Sequence, residues 1–103
     1  MTLKELNSYG ELAIKNFEIE ERLRNNKGTM EDKKQLKKVK HKLHNISSFI
    51  LNCPDPFINQ VMLLKFSQGL SWEAVAKTVS GYNSADSIRQ LVNRYILRSN
   101  KNS

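Results

Sequence analysis

Gln68-Gly69-Leu70-Ser71-Trp72-Glu73-Ala74-Val75-Ala76-Lys77-Thr78-Val79, followed by Gly81 and then Ser84-Ala85-Asp86-Ser87-Ile88-Arg89-Gln90-Leu91-Val92-Asn93-Arg94-Tyr95-Ile96, is the stretch on which the fold turns. Ser71 is placed to cap a short helix from Trp72 to about Val79, and Ser84 to cap a second that continues to about Arg98. Between them, Ser80-Gly81-Tyr82-Asn83 reads as a turn, because Gly81 accepts positive φ without strain. Ala76 is small enough to let the second helix approach the first. A small residue, a glycine turn and two one-sided helices are the requirements of a helix-turn-helix.

The second of these helices meets the strictest requirement. Ile88, Leu91, Val92, Tyr95 and Ile96 fall at i, i+3, i+4, i+7 and i+8, which is one continuous stripe for burial. Asp86, Arg89, Gln90, Asn93 and Arg94 fall on the opposite face. Arginine can bond guanine bidentately, and Asn or Gln can do the same to adenine. Ser84 and Ser87 lie at the helix start, where hydroxyls and free N–H groups favour phosphate. The expected DNA-binding set is therefore Ser84, Asp86, Ser87, Arg89, Gln90, Asn93 and Arg94, with Arg89 and Asn93 foremost. An ordinary helical bundle with a polar outer face would show much of the same pattern.

Upstream, Asn52-Cys53-Pro54-Asp55-Pro56 breaks the chain, since each proline lacks an N–H and restricts the residue before it. Asp55 can cap a helix with Pro56 in its first position. That helix is expected to run to about Ser67, burying Phe57, Val61 and Leu64 with Met62, and to end at Gly69. The break divides the chain into residues 1–52 and residues 53–103.

Residues 1–52 read as two helices. The first spans 3 to 24, with Leu3, Leu6, Ala13 and Phe17 at roughly helical spacing, flanked by Leu12, Ile19 and Leu23, and weakened at Gly10. Asn25-Asn26-Lys27-Gly28 is a turn by composition. Thr29 with Asp32 resembles a capping box and opens the second helix. Leu36, Val39, Leu43, Ile46 and Ile50 then recur as a heptad seam over about two repeats. A short turn between two helices makes an antiparallel hairpin. Its apolar surface, Phe17 and Leu12 included, is large for so thin a structure, so self-association into a homodimer is expected. The architecture expected is all-α: an N-terminal antiparallel helical hairpin followed by a trihelical helix-turn-helix unit.

Charge bounds the partners. Seventeen Lys and Arg against ten Asp and Glu leave a net +7 over 103 residues, which favours polyanions, nucleic acid before an anionic membrane. Lys33, Lys34, Lys37, Lys38, Lys40 and Lys42 form a run with no acid between positions 33 and 43. It reads either as a phosphate-binding face or as a solvated face paired with Glu5, Glu11, Glu18, Glu20 and Glu21, and the pairing is slightly favoured. The single cysteine, Cys53, excludes an intrachain disulfide and a thiol-rich metal site, and suits a cytoplasmic location. No apolar run approaches a membrane span, and the first residues lack the hydrophobic stretch of a signal peptide. His41 and His44 share a face without a carboxylate or thiol beside them, so no metal is expected. No nucleophile stands with a partnering base, so neither an enzyme nor a cofactor is expected.

The string Gln68-Gly69-Leu70-Ser71-Trp72-Glu73-Ala74-Val75-Ala76 resembles the helix-turn-helix of bacterial sigma-factor region four. Small phage regulators of the ArpU and RinA type are similar, carrying that module behind a helical segment. The resemblance covers about residues 54 to 97. It implies a transcriptional regulator of phage or mobile-element genes acting on double-stranded DNA. The stretch from Gly81 to Ile88 is one residue longer than that family's turn. One residue rotates a helix by about 100°, which would expose Ser87, Arg94 and Arg98 instead. The competing expectation is a protein-interaction module that docks on RNA polymerase or another host protein through Leu97 and Trp72. A DNA-packaging subunit uses similar parts but usually carries them first in the chain.

Overall fold

Thr2, Thr29, Asp55, Ser71 and Ser84 each accept a hydrogen bond from a backbone N–H one turn ahead, and each stands at the start of a helix. The computed structural model describes residues 1–79 and 84–101, and the turn expected at Ser80–Asn83 lies outside them. Six α-helices follow in order: α1 (Leu3–Asn7), α2 (Tyr9–Arg24), α3 (Met30–Leu51), α4 (Pro56–Met62), α5 (Trp72–Val79) and α6 (Ala85–Lys101). A π-helical turn, Leu63–Ser67, extends α4. The protein is all-helical, with no strand among the described residues.

The first helix expected from the sequence is two. The break falls at Ser8, not at Gly10. Ser8 Oγ donates to the Glu5 carbonyl at 2.6 Å and its N–H to the same oxygen at 3.1 Å, so a tight turn replaces one regular step. Serine competes for backbone partners in this way. Gly10, by contrast, has open space where a side chain would stand.

The turn from α2 to α3 is tightly specified. Asn26 takes positive φ, 58°. The Asn26 N–H donates to the Leu23 carbonyl at 3.3 Å and the Lys27 N–H to the Arg22 carbonyl at 2.8 Å, closing α2 with a Schellman motif. Gly28 serves close approach: a Cβ there would lie 2.3 Å from Leu23 Cδ2. Thr29 and Asp32 form the expected capping box in both directions, at 3.1 and 3.0 Å. Arg22 then grips Asp32 with two N–H groups, at 2.9 and 3.3 Å, and so ties the end of one helix to the start of the next.

Within the hairpin, Ile19 and Val39 are buried, and Lys40 pairs with Glu20 at 2.7 Å. Ile46 and Ile50 belong to a larger core. That core also takes Leu6 from α1, Ile58, Val61 and Met62 from α4, Phe66 from the π turn, Val75 and Ala76 from α5, and Ile88, Val92 and Ile96 from α6. The buried cluster thus spans both sides of the Pro54 break, with Cys53 itself inside it.

In α4, Asp55 Oδ1 accepts from the N–H groups of Phe57 and Ile58 at 2.9 and 3.1 Å, with Pro56 in the first turn as expected. Ile58 takes the buried place expected for Phe57, which is only partly covered. The cause is register: Ile58, Val61 and Met62 share one face, and the change of pitch in the π turn then brings Phe66 inward and leaves Leu64 half-buried. The Gln68 N–H reaches back to the Leu63 carbonyl at 3.0 Å, and Gly69 ends the segment with φ +75°. The Asn59 amide reaches the Ile50 carbonyl at 2.6 Å and helps fix α4 to the end of α3.

The hairpin projects from this core, and the molecule measures 51 × 31 × 19 Å. Among the described residues no helix is long and apolar enough to cross a membrane.

Candidate nucleic-acid interface

α6 is positioned by its own stripe. Ile88, Val92 and Ile96 are buried, while Leu91 and Tyr95 are half-buried at its margins. Val75 and Ala76 of α5 join the same cluster, and Ala76 is the small residue that allows close packing of the two helices. Tyr95 packs its ring against Phe49 at 5.6 Å between centroids. Burial first, and then its contact with Cys53, holds the Tyr95 hydroxyl above the ordinary phenol range.

Of the seven expected DNA-binding residues, Ser84, Asp86, Ser87, Arg89, Gln90 and Arg94 are exposed. They are not equally available. Ser84 Oγ donates to Ser87 Oγ at 3.0 Å and accepts from the Ser87 N–H at 3.2 Å, so the two hydroxyls occupy one another. Asp86 and Arg89 form an exposed ion pair at 3.0 Å within their own helix. Asp86 and Arg89 line a shallow cleft with Trp72 and Glu73, where α5 and α6 begin side by side. Asn93 is half-buried and lines a cleft with Thr2, Leu3 and Ile96, because α1 lies against that flank of α6. Gln90 and Arg94 stand on the outward face. No family model, curated protein or solved structure matches the chain.

α6 runs on to Lys101, beyond the expected end near Arg98. Ser99-Asn100-Lys101 contains neither Gly nor Pro, so no breaker marks an earlier stop. The extra turn places Lys101 with Leu91, Arg94, Leu97 and Arg98 around an open cleft. Leu97 is 61% exposed there. Asn100 reaches back to the chain start, accepting from the Met1 nitrogen at 3.1 Å and donating to the Met1 carbonyl at 2.9 Å. Neither α1 nor this contact is signalled in the sequence of α6.

Trp72 is a core anchor. Its ring meets the Phe66 ring edge-on at 6.2 Å, and Lys65 Nζ sits 5.2 Å from its centroid.

The lysine run lies on α3. Its expected pairing with the acids of the first helix holds for Lys40 and Glu20 and, among the described residues, for no other lysine of the run. The cause is orientation: α3 turns Val39 and Ile46 inward, so Lys33, Lys34, Lys37 and Lys38 are exposed on its outer side. His44 Nε2 lies 3.4 Å from Ser48 Oγ. Among the described residues no three His, Cys, Asp or Glu side chains are grouped to hold a metal ion.

Proposed function

We propose that this chain is a sequence-specific duplex-DNA-binding protein that regulates transcription, with α6 lying in the major groove. One observation carries the reading. α6 buries Ile88, Val92 and Ile96 in the core it shares with α4 and α5 and leaves Gln90 and Arg94 side by side on its outward face. An amide and a guanidinium so placed match the edges of adenine and guanine. Arg89, tied to Asp86, and Asn93, set beside α1, take secondary places in this version of the site. The resemblance of residues 68–76 to sigma-factor region four supports a role at phage or mobile-element genes. The reading calls for no cofactor and no catalysis.

A second chain would set two recognition helices about 34 Å apart in successive major grooves. Of the α3 seam, Val39, Ile46 and Ile50 are buried within one chain, and Leu36 and Leu43 are half-buried. Ile14 and Phe17, 62% and 61% exposed on the outside of α2, are the surface we assign to self-association. Docking on RNA polymerase is the second reading, and the exposure of Leu97 among three cations favours it.

Selection from a pool of random duplex DNA tests the proposal and reads the site in one step. The expected result is an enriched sequence, with Gln90→Ala and Arg94→Ala each weakening it by about 1–3 kcal/mol and relaxing preference at one position. Unselected pools, with both substitutions silent, would give way to the docking reading.

A further inference from the structure

Where does the positive charge reside? α3 carries six lysines against Glu31 and Asp32, a net +4 of the chain's +7. Residues 1–29 balance five cations against five acids, and residues 52–103 supply the remaining +3. That remainder is the net charge of α6 itself, where Arg89, Arg94, Arg98 and Lys101 stand against Asp86. The helix assigned to base reading therefore holds less than half of the net charge, and α3 holds the larger share.

We infer that the outer face of α3 is a second, sequence-blind contact surface for the phosphate backbone of duplex DNA. The inference rests on the duplex-DNA reading above, but on a different helix and on different physics. Lys33, Lys34, Lys37 and Lys38 are exposed and make no ion pair among the described residues. They repeat at spacings of three and four, so each turn of about 5.4 Å presents fresh positive charge along one side. Like charges at these spacings destabilise an isolated helix. A polyanion relieves that repulsion, and duplex DNA presents one negative charge per about 1.7 Å of its axis.

An anionic membrane is the poorer fit. A helix that lies in a membrane surface buries an apolar face in the lipid. In α3 the apolar face is already closed by the hairpin and the core, through Val39, Ile46 and Ile50. Between Lys33 and Lys42 the outward side offers only lysines and His41. Lysine rather than arginine also suits a contact that needs charge without bidentate geometry.

The test uses the full chain and a random-sequence duplex of 30 base pairs or so, with affinity followed against salt. Removing one lysine from a phosphate should lower the slope of log K against log salt by about 0.9. The combined variant Lys34→Gln, Lys37→Gln, Lys38→Gln should thus lower it by roughly 2 to 3, and weaken binding at fixed low salt by more than tenfold. Glutamine matches lysine in helix propensity, so an unchanged helical spectrum is expected. The control removes the same charge elsewhere: Lys4→Gln, Lys15→Gln, Lys27→Gln should leave the slope near that of the parent. An equal fall in the control would show that net charge alone acts, and would overturn the proposal. An unchanged slope in the α3 variant would overturn it too. So would parent protein that binds phosphatidylserine vesicles and not the duplex. Salt-sensitive, α3-dependent binding with no preferred sequence would keep this inference and remove the one drawn for α6. A preferred sequence with an α3-independent slope would do the reverse.

Discussion

In the α2–α3 hairpin, Ile19 and Val39 are buried apart from the main cluster, and the tip is closed by polar groups: Arg22 on Asp32, Asp32 on Thr29, and the carbonyls that cap α2. In the α4–α6 unit the closing contacts are apolar and contiguous, from Ile58 and Met62 through Val75 to Ile88, Val92 and Ile96. The two regions differ in what sets their geometry. Charge-assisted hydrogen bonds fix the hairpin's turn, and packing fixes the orientation of α6. The hairpin should therefore answer to pH and to single polar substitutions, and the α4–α6 unit to changes of core volume.

The largest effect is expected from Ile88→Ala. A buried aliphatic side chain cut to alanine costs about 2–5 kcal/mol, and this one lies where α5 meets α6. Urea unfolding followed by the fluorescence of Trp72, the single tryptophan, would measure it. A change below 1 kcal/mol or so would mean that packing does not fix α6.

Gly28→Ala is expected to come next, at about 1–3 kcal/mol, because the added Cβ overlaps Leu23. Leu23→Ala should relieve most of the clash, so the double variant should be destabilised by less than the sum of the two. Additivity would show that the close approach at the tip is not tight.

Thr29→Ala removes the cap of α3 and should cost about 1 kcal/mol. Asp32 gives the same tip a dependence on pH. The Arg22 guanidinium, and then the Thr29 backbone N–H, hold its carboxyl below the ordinary range. Lys40 does the same for Glu20. A lowered folded pKa means stabilisation fully present above the unfolded value, about 3.9 for Asp, and lost as pH falls through the folded one. On acidification helical ellipticity should therefore decline before Trp72 fluorescence moves. Simultaneous change of both signals would join the two regions into one electrostatic unit. The smallest effect is expected for Met30→Ala, within about 0.5 kcal/mol, since Met30 is 70% exposed at the tip.

The parts legible in the sequence are those with a local cause. The caps at Thr29, Asp55, Ser71 and Ser84 need only a side chain and a backbone N–H one turn away. The stripe from Ile88 to Ile96 needs only a period. Phe57 and Ile58 are both apolar and adjacent, so local pattern does not choose between them; the packing of α4 does. The break at Ser8 comes from a serine hydroxyl that satisfies a carbonyl, which serine does in only some helices. For the candidate site, the outward face of α6 is readable from its period, but the standing of Asn93 is not. Asn93 sits beside Thr2 and Leu3, about ninety positions away, and no feature of its own helix announces that neighbour. Asp86 with Arg89 is an i, i+3 pair open to view in the sequence. Whether the acid holds the arginine depends on rotamers, which spacing alone does not choose.

The placement of Leu6 in the main core has a consequence for the order in which the chain can fold. The hairpin contacts are short-range: Arg22 to Asp32 spans ten positions and Glu20 to Lys40 twenty. The core joins Leu6 to Ile88, Val92 and Ile96, and Met1 meets Asn100 across 99 positions. Contacts between distant positions form slowly, because a long loop must close first. On a ribosome the hairpin can be complete while α6 is still unmade. The closing of α1 over α6 is then expected to come late in assembly, and it brings Asn93 and its neighbours to their final surroundings.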